Sequence, residues 1–326
     1  MAKASRLSLI SVANQAPDET SAYKFLEGLR WPNGPVCPHC GNTKAYYLNP
    51  ANGSTRKTRT GSMSARRVWK CAACKKQFSV LTGTVMHGTK VSVRVWLLVF
   101  VEMCTAKNGI SAREVQRKYD ISAEAAWFVC HRIREAMKRE PLAGLLSGTV
   151  TADETWIGGK PHNMHRRDRY AEDRPSPRER KTPVFSLVHR ETGEVRSRVI
   201  PDVTARTLRA AIDEQVDLAN TVLHTDNAMA YTRIGWKARE HHSVNHVLGE
   251  YVRGNVTTNH AESYFSQLKR SIDGTHHHVS REHLPRYLAQ FDYLWSTCRL
   301  SDTARLERLM GRVAGRRLTY RPLRGQ

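Results

Sequence analysis

The 326-residue chain carries 52 Lys and Arg against 30 Asp and Glu, a formal net charge of +22. Domains of about 100–200 residues leave room for two or three packed cores, and so large a positive excess points to a polyanion, nucleic acid first, without naming a chemistry. No apolar run approaches the ~20 residues of a membrane span, no secretion signal is evident, and seven cysteines, four of them in two CxxC pairs, fit metal binding in a reducing cytoplasm better than disulfides.

Residues 1–17 read as a polar, weakly ordered arm. A helix follows over 18–29, capped by Asp18 or Thr20 and ended by Trp31-Pro32-Asn33-Gly34-Pro35. Cys37-Pro38-His39-Cys40 and Cys71-Ala72-Ala73-Cys74 each set two thiolates on a tight turn, with Gly41 where a knuckle needs a positive φ. Cys37, Cys40, Cys71 and Cys74 would hold a structural Zn²⁺ with no open coordination position, because a two-hairpin module has too little core to fold without metal. A redox CxxC or unrelated buried cysteines are the competing readings. The basic, Ser/Thr/Gly-rich stretch 53–67 accounts for the long spacing as an extended loop. Cys104, Cys130 and Cys298 read as buried free thiols. The N-terminal helix and ribbon together span 18–88.

Over 91–105, Val95, Leu98, Val99 and Met103 recur at helical spacing, and Asn108-Gly109 stops the helix. Ser111 caps a helix over 112–119, Asp120-Ile121-Ser122 turns the chain, and a second helix over 123–139 buries Ala126, Val129, Ile133 and Met137. This is a helix-turn-helix pattern within segment 89–142. Its remaining face, with His131, Arg132, Arg134, Lys138 and Arg139, would meet a DNA major groove. An ordinary helical hairpin with a solvated charged face is the plainer alternative.

From 143 the pattern turns to strands. The first, 149–157, contains Asp153 and Glu154, and a carboxylate buried there costs several kcal/mol unless a cation such as Mg²⁺ compensates. Neighbours in a strand face opposite ways, so only one of the two acids can enter a given site. Strands over 183–189 and 195–201 are joined by a turn at Gly193, a helix follows over 204–216, and a strand over 221–227 ends in Asp226, where ligands collect at sheet edges. Residues 243–248 could add a strand. A helix over 259–271 packs Ala261, Tyr264, Phe265 and Leu268, leaving Glu262 and Lys269 two turns apart on one side, an acid for a metal and an ammonium for a phosphate. Three acids suit phosphodiester chemistry: two cations about 4 Å apart activate the attacking oxygen and stabilise the leaving one, with Asp153 bridging and Asp226 and Glu262 completing the metals. Ordinary surface acids are the alternative on spacing alone. The basic insertion 158–182, with Arg166 and Arg167, reads as a loop gripping DNA backbone or as a solvated loop. His276-His277-His278 suits phosphate or loop contacts, and 299–326 reads as a basic helix and tail.

Several motifs occur together in one order: Cys37-Pro38-His39-Cys40-Gly41, the run from Cys71 through Gln77-Phe78-Ser79-Val80-Leu81-Thr82-Gly83-Thr84-Val85, Asp153-Glu154-Thr155 with Ile157-Gly158-Gly159-Lys160, and Asn259 and Glu262 with Lys269-Arg270. Over about 17–298 the chain resembles zinc-ribbon insertion-sequence transposases of the ISXO type. The resemblance implies an α/β fold, an RNase H-like mixed sheet with flanking helices over 143–298, preceded by the zinc ribbon and helix-turn-helix. It implies Mg²⁺ or Mn²⁺ at Asp153, in preference to Glu154, with Asp226 and Glu262, and it puts Lys269 and Arg270 beside DNA. Some relatives use Asn as third ligand, so Asn259 stands as a nearby candidate. Expected partners are double-stranded DNA, as element ends and target, and further copies of the chain, at least a dimer. No membrane is implied, and the setting is the prokaryotic cytoplasm, on the nucleoid. Ser263 stands where glycine is expected, and Asp292-Tyr293-Leu294-Trp295 departs from the usual aromatic-basic ending. A non-catalytic DNA-binding regulator derived from a transposase, or an RNase H-like nuclease without strand transfer, are the other readings.

Overall fold

The structure, a computed structural model, describes residues 7–48, 65–139, 144–158, 176, 180–245, 252–254 and 256–319. The chain divides into two compact units, one running up to Met137 and resuming at Leu300, the other Lys138–Arg299. Among the described residues no helix is long and apolar enough to cross a membrane.

The first unit begins with a helix where a weakly ordered arm is expected. Ser8 and Ser11 cap each other's amides reciprocally, which starts α1 (Leu9–Gln15) and lets Val12 be buried. Asp18 then caps α2 (Glu19–Arg30). Glu27 of that helix accepts from Arg67 Nε at 2.7 Å and Trp69 Nε1 at 2.8 Å, latching α2 to a three-stranded antiparallel sheet of β1 (Ala45–Tyr47), β2 (Trp69–Cys71) and β3 (Gln77–Phe78). The stretch 53–67 falls mostly on 49–64, outside the described residues. Helix α3 (Val93–Thr105) is almost wholly buried, and the Glu19 carboxylate accepts from the Val93 and Arg94 amides at 2.6 and 3.2 Å, an acid at the positive end of a helix.

Helix α4 (Ala112–Tyr119) starts on the Ser111 cap and ends with Asp120 in the left-handed region at φ +48, leading into α5 (Ala123–Met137). The buried stripe of Ala126, Val129, Ile133 and Met137 is as expected. The basic face is not. His131, Arg132 and Arg134 are 0%, 3% and 1% exposed, so they are no groove-reading surface. The contacts come from other elements: Arg132 donates to the His87 carbonyl, and beyond the C-terminal helix (Asp302–Gly311) the chain pairs Ala314 with Thr84 and lays Arg316 on the Glu135 carbonyl of α5 at 2.7 Å. The Arg132 guanidinium stacks 5.0 Å from the Phe128 ring and 5.6 Å from Trp96, and burial pulls its pKa down to about 10. Lys138 and Arg139 are half-buried, and Arg139 donates to the Gly144 carbonyl at 2.6 Å.

The second unit is a five-stranded mixed sheet of β4 (Leu146–Ile157), β5 (Thr182–His189), β6 (Val195–Val199), β7 (Val216–Asp226) and β8 (Glu240–Val244), in the order β6-β5-β4-β7-β8. β5 runs antiparallel to β4 and β6, while β7 is parallel to β4 and β8. Strand alternation separates two cores. Val150, Ala152, Phe185, Leu187 and Leu223 pack with α6 (Ala205–Asp213) and α7 (Met229–Gly235). Ile157, Val184, Val188 and Val195 pack with α8 (Asn259–Ser271) and α9 (Leu284–Ser296). A mixed sheet with helices on both faces is the RNase H-like α/β architecture. α6 stops at Asp213 rather than Val216, because Val216 pairs with Leu146 as the start of β7. β8 likewise begins three residues before the expected Ser243. Arg166 and Arg167 of the basic insertion lie outside the described residues.

Candidate functional site

In the first unit, the Cys37 and Cys74 sulfurs stand 3.7 Å apart and those of Cys40 and Cys71 3.6 Å. Tetrahedral Zn–S bonds of about 2.3 Å require S···S edges of about 3.8 Å, so the four thiols fit a structural zinc. Two knuckles position them: Gly41 takes φ +74 and Lys75 φ +57, and Trp31, Trp69 and Phe78 pack beneath. The Cys74 and Ala73 amides pull the Cys71 thiol down to about 7, towards the thiolate a metal needs. Cys104 and Cys130 are buried free thiols, but Cys298 is exposed, lying beyond the end of α9.

The acids of the second unit come from three elements. Thr151 of β4 pairs with His224 of the parallel β7, so Asp153, inside β4, and Asp226, the last residue of β7, each two residues further on, share one face of neighbouring strands. That face is the one α8 covers. Glu262, in the first turn of α8, is half-buried, and Lys269, two turns later, is exposed. Burial first, then the charges of Asp226 and Glu262, push the Asp153 carboxyl up to about 7, against the pull of Lys269. Glu262 and Lys269 therefore both act on Asp153 through space. Asn259 is exposed at the first position of α8.

Among the described residues the four sulfurs form the one group of three or more candidate ligands whose donor atoms all lie within 4.8 Å of one another. The carboxylates of Asp153, Asp226 and Glu262 face one region without closing to that distance. Each holds a local donor instead: the Glu154 amide 2.7 Å from Asp153 Oδ1, the Ala228 amide 3.1 Å from Asp226 Oδ1, and Thr258 Oγ1 3.5 Å from Glu262 Oε1. Three like charges need a cation between them to approach further. The donors are all carboxylate oxygens, the set that suits Mg²⁺ or Mn²⁺.

Several supports were not legible in the sequence. Glu154 faces away from Asp153, into the α6–α7 side, where it accepts from the buried Tyr231 hydroxyl of α7. That bond joins the residue after Asp153 to a helix that begins three residues after Asp226. Burial pushes the Glu154 carboxyl up to about 7, with Asp153 and Asp226 adding to it and Tyr231 opposing. His224, buried, has its pKa lowered by burial first; it lies in β7 close to the hairpin β9 (Val252–Arg253)–β10 (Val256–Thr257) that feeds α8. Behind Asp153, its partner Ser186 meets Ser197 at 2.8 Å, and Asp292 of α9 accepts from Ser197 N, Ser197 Oγ and Tyr264 Oη at 2.8, 2.7 and 2.6 Å. Burial pushes Asp292 up to about 6. The signal available was the chemistry of the residues themselves, since a buried tyrosine hydroxyl or acid needs a partner. Of the three histidines 276–278, His276 packs against Tyr287, while His277 and His278 line a cleft of about 190 Å³ with Lys181 and Lys269.

Residues 145–296 match the ISXO2-like transposase domain, and residues 17–77 match the transposase zinc-ribbon domain. A relative described as an uncharacterized protein in transposable element ISH50, from Halobacterium salinarum (strain ATCC 700922 / JCM 11081 / NRC-1), is 29% identical over 292 residues, covering 84% of this chain and 89% of that protein.

Proposed function

Because the chain belongs to the zinc-ribbon insertion-sequence transposases of the ISXO type, we propose that it binds the terminal repeats of its element and cuts and joins DNA strands with Asp153, Asp226 and Glu262 as ligands of Mg²⁺ or Mn²⁺. The observation that carries this reading is the shared offset of Asp153 and Asp226 from the Thr151–His224 pair, on the sheet face that α8 covers. Bound there, divalent metal supplies an activated oxygen nucleophile and charge stabilisation for the leaving oxygen. Asp153, half-buried and within the charge field of both other acids, would hold the metal together with them. Lys269 and Arg270, both exposed, meet phosphates of the strand being cut, and the Lys181–His277–His278 cleft continues that track. Asn259, one turn before Glu262, contacts the same substrate.

DNA is gripped elsewhere by the zinc ribbon, by exposed Arg113 and Arg117 of α4, and by Lys138 and Arg139 at the end of α5. Arg166 and Arg167 add to the backbone contact. Synapsis of two element ends calls for at least two copies of the chain, working in the cytoplasm on nucleoid DNA.

The test is incubation with DNA carrying the flanking repeats and Mg²⁺ or Mn²⁺, comparing wild type with Asp226→Ala. Nicking and joining by wild type, with binding but no cutting by the variant, is the expected result. End binding without any nicking by wild type would make the protein a regulator, and nicking without joining a nuclease.

A further inference from the structure

Beside Asp226 lies a cleft of about 370 Å³ whose lining includes Asn227, Thr232, Trp236, His241 and Ser243. Its volume is at the lower end of small-ligand sites. One wall is built tightly. Gly235 lies so close to the His241 ring that a Cβ would fall 2.0 Å from Nδ1, so no larger residue fits without displacing the imidazole. His241 Nε2 is in turn 2.9 Å from Thr225 Oγ1, which donates to the Asp226 carbonyl at 2.7 Å. The wall is thus tied to the backbone of Asp226.

The rim is the opposite. Trp236 is 77% exposed and Met229 92%, the two most exposed large apolar side chains among the described residues. They stand at the two ends of α7, Trp236 lining the cleft, and Arg233, Lys237 and Arg239, near Trp236 in sequence, are all exposed. An exposed indole lining a polar cleft, with three exposed cations within three residues of it in sequence, stabilises little in its own chain.

We propose that this cleft is a nucleobase subsite, in which an unpaired base of the DNA strand passing Asp226 stacks on the Trp236 indole. The proposal rests on the reading of Asp226 as part of the strand-cutting site. The rigid Gly235–His241 wall favours a flat ring over a bulky side chain. Asn227, Thr232 and Ser243 offer both donors and acceptors to a base edge, and Arg233, Lys237 and Arg239 suit the flanking phosphates. A base inside a duplex has both faces covered, so the occupant is one that has left the stack beside the cut.

The test uses the full chain without divalent metal and a single-stranded thymidine dodecamer carrying one central 2-aminopurine. Wild type and Trp236→Phe should bind it and quench the 2-aminopurine. Trp236→Ala should lose the quench and bind about 5- to 150-fold more weakly, the range of one lost base–aromatic stack. The dependence of affinity on salt, set by phosphate contacts, should be unchanged. Equal affinity and equal quenching in Trp236→Ala would overturn the proposal, as would failure of wild type to bind the dodecamer. A change in sedimentation of Trp236→Ala with DNA binding intact would also overturn it, assigning the indole to a second copy of the chain. The assay involves no cutting, so loss of this subsite is separable from loss of the nuclease reading, which the Asp226→Ala nicking comparison decides.

Discussion

The two ligand sets in this chain are opposites. The four thiols close to within 4.8 Å on two short turns, each built from residues adjacent in sequence, and the spacing alone announces them. The three carboxylates come from β4, β7 and α8, across more than a hundred residues, and their oxygens stay apart. The thiols are brought together by the local geometry of two turns. Carboxylates gathered on one sheet face repel one another, and burial, with that repulsion, has already pushed Asp153 up to about 7. The first set is a structural staple with no open coordination position. The second, proposed to hold the catalytic cation, is spread over three separate elements.

The largest test of that contrast is removal of the staple. Cys71→Ser, or strong chelation of zinc, should unfold the ribbon, since structural zinc binding contributes on the order of 10–16 kcal/mol in small modules. Zinc content and a melt followed by tryptophan fluorescence would show it, and an unchanged ribbon melt after complete zinc loss would break the comparison.

Next in size is the scaffold behind the carboxylates. Asp292 has a folded pKa of about 6, above the ordinary 3.8, so the fold prefers its neutral form. The stability it contributes is full below about pH 4 and lost as pH rises through 6, a swing of roughly 3 kcal/mol. Asp292→Asn, neutral throughout, should be less stable than wild type at pH 4, because its amide opposes the Ser197 N–H. The gap should narrow by about that swing towards pH 7 in paired urea melts, and a constant gap would remove the pH argument.

Tyr231→Phe should cost about 1–3 kcal/mol, the penalty for leaving the buried Glu154 acceptor unpaired. It should also weaken the apparent affinity for Mg²⁺ in strand cutting more than it slows cutting at saturation. Equal stability in denaturant would argue that the Tyr231–Glu154 bond contributes nothing. The smallest effect belongs to Ser111→Ala, which removes the α4 cap and should lower stability by about 1 kcal/mol without changing zinc content.

What the sequence disclosed follows the range of the forces involved. Helices closed by their own caps, such as α2 on Asp18 and α4 on Ser111, are local and could be read almost to the residue. The strand expected over 149–157 and the alternation of Asp153 and Glu154 were legible because a period of two needs no tertiary knowledge, although β4 begins three residues earlier, at Leu146. Arg132 and Arg134 resemble a DNA surface in the sequence because their burial is tertiary: Arg132 meets the His87 carbonyl and the Trp96 ring, which belong to other elements. The Tyr231–Glu154 bond spans 77 residues, and which face of β4 would receive α8 is a property of the assembled sheet. Asp226 could be put at a strand end from its neighbours. Its alignment with Asp153 depends on a parallel register that no short motif encodes.

The most direct measurement is Mn²⁺ binding to the zinc-replete full chain, followed by electron paramagnetic resonance, in wild type, Asp226→Ala and Glu262→Ala. Bound Mn²⁺ in wild type that is lost or greatly weakened in both variants, with zinc content unchanged, is the result expected of a carboxylate site separate from the ribbon. Mn²⁺ binding that persists unaltered in both variants would contradict it.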